Sequence, residues 1–89
     1  MEITKESYFT EVLDIYTNNP ALFTTRNEDN IRIATCQGSR GEETTILFDE
    51  KNRPFRISFT NPEQGKIVLD NKDGDINIRE ISTTKPTNS

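Results

Sequence analysis

The chain has 89 residues, a formal charge of -4, one cysteine and neither histidine nor tryptophan. Histidine titrates near neutral pH unaided, so its absence excludes Ser-His and Cys-His couples and histidine-based zinc sites. The mild acidity speaks against broad, non-specific nucleic-acid binding, and Cys36 alone makes no intramolecular disulfide.

With 30% hydrophobic residues the core must be thin, and a stability margin of roughly 5 kcal/mol is expected. A thin core favours a sheet face or edge that is completed by a partner or by a second copy. The opening residues Met1 to Glu6 lack the basic-then-apolar form of a signal peptide, and no apolar run approaches the ~20 residues that span a bilayer. A cytoplasmic protein with no membrane partner is expected.

The first segment reads as a helix. Thr4 suits an N-cap, and Glu6 falls in the first turn, where a negative charge complements the dipole. At about 100° per residue, Tyr8, Phe9, Val12, Leu13, Ile15 and Tyr16 share an arc of about 160°. That face is too broad for a coiled-coil seam and fits a helix lying on a sheet. Asn18-Asn19-Pro20 closes the helix, with asparagine suited to a left-handed cap and proline disfavouring helix before it.

From Ala21 the period changes to two. Strands are predicted over Ala21–Thr25, Ile31–Cys36, Thr44–Phe48, Phe55–Thr60, Lys66–Asp70 and Asp75–Ile81. The intervening clusters, such as Gln37 to Gly41, Asn61 to Gly65 and Asn71 to Gly74, are rich in turn residues and short enough for hairpins. The expected fold is α+β: one N-terminal helix packed on a five- or six-stranded antiparallel β-meander. One domain covers 1–82, and the polar run 83–89 reads as a disordered tail.

The predicted core is Tyr8, Phe9, Val12, Leu13, Tyr16, Ile31, Ile33, Ile46, Phe48, Phe55, Ile57, Phe59, Ile67, Leu69, Ile76 and Ile78. Alternation slips near Arg79-Glu80, where Ile81 falls out of phase with Ile76 and Ile78, which predicts a bulge or the end of the buried strand.

If the helix covers Phe55, Ile57 and Phe59, then Arg32, Arg56 and Arg79 project from the open face, with Ser58 and Asn77 among them. Three arginines on neighbouring strands can grip phosphates or carboxylates in bidentate fashion. Single-strand binders also need aromatic platforms, and the phenylalanines here have buried parity. The competing reading is a solvated face with cross-strand ion pairs to Glu43 or Glu80.

Gln37 to Gly41 places two glycines around Ser39 and Arg40, a composition that can form a backbone nest for an anion or simply a hairpin. No Walker lysine follows. The Gln-x-x-x-Gly spacing is similar to that of the cystatin inhibitory loop, but Ser39 stands where that family prefers valine, and a chain without tryptophan lacks its second loop. No membership follows.

Asp70, Asn71, Asp73 and Asp75 surround Gly74, but counting back an EF-hand spacing puts Leu69 at the first ligand position. A tight hairpin explains these residues, and no metal or cofactor is expected. Cys36 reads as a small buried strand-end residue with no base beside it.

The favoured function is a small non-catalytic protein-binding module. Inhibitors, immunity proteins, antitoxins and phage-encoded antagonists belong to that class. The partner is another protein or a second copy, through the open face, an edge strand or the outer helix face at Glu11 and Asp14. The alternative is a nucleic-acid or nucleotide binder using the arginine face. An enzyme working through carboxylates or Cys36 comes last.

Overall fold

The computed structural model describes residues 4–82. They form α1 (Lys5–Asn18), a 3-10 turn (Pro20–Leu22) and six strands: β1 (Thr24–Glu28), β2 (Ile31–Gln37), β3 (Glu43–Phe48), β4 (Pro54–Asn61), β5 (Gly65–Lys72) and β6 (Asp75–Ser82). The strands pair antiparallel in chain order, and the helix packs on one face. The expected α+β meander is the architecture observed. The tail expected at 83–89 lies outside the described residues.

Local chemistry sets both ends of α1. The Thr4 hydroxyl accepts from the Ser7 N–H at 3.0 Å, and the Ser7 hydroxyl donates back to the Thr4 carbonyl at 3.1 Å. The first bond satisfies an orphan N–H of the first turn, while the Thr4 carbonyl also accepts from the Tyr8 N–H. The other end departs from expectation. Asn19 sits at φ -138°, not in the left-handed region, and its N–H donates to the Ile15 carbonyl. Pro20 then opens the 3-10 turn, since its fixed φ suits a first helical position. The strand expected from Ala21 therefore starts at Thr24, and Phe23 becomes a buried ring at the junction.

On the helix side of the sheet, Ala34, Ile46, Ile57, Leu69 and Ile78 form a row across β2 to β6, buried except at Ile78, which was expected in the core but is half exposed on the edge strand. Ala34, Ile46 and Ile57 have no exposed surface. Phe9 and Val12 of α1 press onto this side, and Tyr16 packs against Phe23 and Phe48 with ring centroids 5.1 and 5.4 Å away. Edge-on and tilted rings at these separations are the favoured aromatic geometry. Ile15, at the margin of the predicted arc, is 43% exposed.

Two bulges and one register decide where the predicted core was wrong. In β4, Arg56 pairs with Leu47 and Pro54 with Phe48, so Phe55 is the extra residue. It leaves the core, and the Arg56 guanidinium lies 5.7 Å from its ring centroid. In β2, Ala34 is the helix-side residue, which turns Ile31 and Ile33 to the open face. Ile33 is still buried there, as is Val68, so the open face carries an apolar strip that the simple alternation missed.

The bulge predicted near Arg79-Glu80 is present: Val68 pairs with Glu80 and Leu69 with Ile78, leaving Arg79 unpaired. The extra residue returns Ile81 to the helix side, opposite Ile67, correcting the expectation that it points away.

Candidate functional site

The arginine cluster assembles only in part. Arg56 and Arg79 meet on the open face at one carboxylate. Arg56 Nε donates to Asp70 Oδ1 at 2.8 Å, and Arg79 Nε lies 2.9 Å from Asp70 Oδ2. Asn77 pairs across from Asp70, and Ser58 sits one row away opposite Val68. Glu43 and Glu80 do not supply the expected ion pairs; Asp70 does. Arg32 does not join them. It pairs across from Phe48 and shares its parity with Ala34, so it belongs to the helix side. There it borders a shallow depression of about 180 Å³ with Asn27, Asn30, Asp49, Glu50 and Asn52. The reason is the register of β2, whose small Ala34 faces the core instead of Ile33.

The Gln37–Gly41 loop supplies its own anion. The Arg40 N–H donates to Glu42 Oε1 at 2.9 Å, and the Gly38 N–H donates to the Glu42 carbonyl at 2.8 Å. The Glu42 backbone N–H and that of Arg40 hold the Glu42 carboxyl below its usual value. Gly41 has φ +87° with Pro62 close by, the conformation that only glycine adopts without strain. Ser39 and Arg40 are exposed at the tip.

The acidic turn is a hairpin. Asp73 and Gly74 both have positive φ, as a two-residue type I′ connection requires. Asn71 locks it: its Oδ1 accepts from the Gly74 N–H at 2.9 Å, and its Nδ2 donates to the Pro54 carbonyl at 3.0 Å. Among the described residues no group of three or more acidic or cysteine side chains converges to hold a metal ion. Cys36 is half-buried against the core.

One surface was not foreseen. A groove of about 380 Å³ opens between the start of α1 and the β4–β6 end of the sheet, lined by Thr4, Lys5, Tyr8, Phe59, Ile67, Leu69 and Ile78. A second depression of about 160 Å³ shares Phe59 and Ile67 with it and reaches Ile81. Ile78 is 50% exposed and Ile81 62%. Burial, with a smaller push from Glu11, raises the Tyr8 phenol above its ordinary value, as an apolar wall demands.

The groove exists because 14 helical residues span about 21 Å at a width of about 10 Å, whereas six strands spread over about 24 Å. The helix runs from β6, near Thr4 and Tyr8, to Phe48 and Phe23 at Tyr16, and leaves the Phe59–Ile67–Ile81 row at the margin. Counting apolar strand residues against the face one helix can cover would have pointed to it.

Among the described residues no helix is long and apolar enough to cross a membrane. Fold and site together define an antiparallel meander with one helix, whose distinguishing surface is an apolar groove beside an edge strand. No family model, curated protein or solved structure matches the chain.

Proposed function

We propose that this protein is a non-catalytic protein-binding module that docks its partner along β6 and the adjoining groove. The observation that carries this reading is the pair Ile78 and Ile81, about half exposed or more on an edge strand and continuous with the walls of Tyr8, Phe59 and Ile67. Apolar surface gathered in one place beside unpaired strand edge is the feature that strand addition uses: backbone bonds give affinity and apolar pockets give selectivity. Regulation of a partner by occupancy, as an inhibitor or antitoxin acts, fits a chain without histidine.

The test compares surfaces. Proteins of the native host bound by the wild-type chain should be lost with Ile81→Asp and retained with Arg32→Ala. Retention by Ile81→Asp would remove this reading. If binding instead follows Arg56 and Arg79, and if low-salt titration with single-stranded DNA or RNA saturates with a steep salt dependence, the nucleic-acid alternative replaces it.

A further inference from the structure

The sheet has two edges, and they differ. β1, Thr24–Glu28, is short, wholly exposed and polar, with Arg26 and Glu28 paired to each other at 3.3 Å. Charge and brevity blunt such an edge against pairing. β6 also carries charge, at Arg79 and Glu80, and a bulge, but it is longer and adds two exposed isoleucines.

The bulge gives β6 an unusual order of faces. Asn77 lies on the open side, Ile78 on the helix side, Arg79 and Glu80 on the open side, Ile81 on the helix side and Ser82 on the open side. That order reads the same in both directions about the bond between Arg79 and Glu80. A strand with strict alternation has no such symmetry point between residues, because directly opposed residues in an antiparallel pair must share a face.

We infer that the partner on this edge is a second copy of the chain, paired antiparallel β6 to β6 about a two-fold axis at Arg79-Glu80. In that register Ile78 opposes Ile81 of the other copy, twice, and the four isoleucines extend the groove wall across the junction. Arg79, which already holds Asp70 within its own chain, opposes Glu80 of the other copy, also twice, so the charges of an inverted copy are complementary. Asn77 opposes Ser82, and no like charges meet. The pairing is isologous, as two-fold interfaces must be, and it joins two six-stranded sheets with both helices on one side. Cross-strand pairs of these types are favourable. This inference rests on reading β6 as the docking edge.

The experiment is mass measurement of the full chain by light scattering over a micromolar-to-millimolar series, together with thiol cross-linking in a Cys36→Ser background. The expected mass doubles from 10.2 kDa as concentration rises. Ile78→Asp should weaken association at least about tenfold, and Glu80→Arg about two- to tenfold by opposing it to Arg79. Circular dichroism checks that each variant keeps its fold. A mixture of Ile78→Cys and Ile81→Cys chains should cross-link between the two variants, whereas neither variant alone should.

A mass of one chain at every concentration overturns the inference. So does a dimer that survives Ile78→Asp, or a mixture that fails to cross-link. A monomer that still loses its host partner on Ile81→Asp removes only the second copy and leaves the docking edge standing; loss of neither would remove both.

Discussion

Asp70 is the residue on which three strands converge. Its two oxygens take Arg56 from β4 and Arg79 from the bulge of β6, with about a third of the Asp70 and Arg56 side chains exposed and half of Arg79. Solvent screening at that exposure keeps the worth of each pair small. Removing the shared carboxylate also leaves two guanidinium groups facing one another. Asp70→Ala is therefore expected to cost about 1 kcal/mol in a urea titration. Arg32→Ala, which touches none of this, should leave the midpoint in place. The contrast follows from one register in β2, which puts Arg32 on the helix side and the Asp70 cluster on the open one.

At the scale of elements, the bulges matter more than the strands they interrupt. Phe55, Ile57 and Phe59 form the cleanest apolar alternation in the chain, yet only Ile57 is fully buried and only Ile57 belongs to the central row. Ile57→Ala should cost about 2–5 kcal/mol through lost burial and the cavity left behind. Phe55→Ala, despite the larger side chain removed, should cost less than Ile57→Ala, because its ring sits outside the core under Arg56. Chemical denaturation of the two variants decides the order; a reversed order would mean that the β4 bulge is absent in solution.

The second bulge does the opposite work. It gathers Ile78 and Ile81 on one side of an edge strand that would otherwise split them. The β5–β6 hairpin holds that register through local devices, the Asp73-Gly74 turn and the Asn71 lock.

For the molecule as a whole, acid sensitivity follows from carboxylates at turns and caps. The Asp49 carboxyl is held below its ordinary value of 3.8, first by the Arg53 backbone N–H, then by that of Lys51 and by the Arg53 guanidinium. Glu6 is lowered by its own backbone N–H at the start of α1 and by Lys5, and Glu42 by the loop N–H groups described above. Each folded value lies below the unfolded one, so the stabilisation is complete above the unfolded value. It is lost as pH falls through that value toward the folded one. The urea midpoint should hold from neutral pH down to about 5 and decline below the ordinary carboxylate range. Asp49→Asn should lower the midpoint at neutral pH and flatten the acid decline, and an unchanged slope would show that these turn bonds do not form in solution.

Much of this protein is written locally. The Thr4 cap, the broad apolar arc of α1, the change of period after Pro20 and the turn clusters between short β-branched runs all act within a few residues, so helix, strands and meander order are legible without coordinates. The slip at Arg79-Glu80 is legible too. What a strand's faces look at is not local. Whether Ala34 or Ile33 turns inward, whether Phe55 stays in the core, and which carboxylate meets Arg56 depend on register between strands, where a shift of one residue exchanges the two sides. The groove depends on something less visible still, the width of one helix against the width of the sheet beneath it. Residue order alone determined that this chain would be a helix on a meander; only the packing of that helix across six strands decided that Ile78 and Ile81 would be left uncovered.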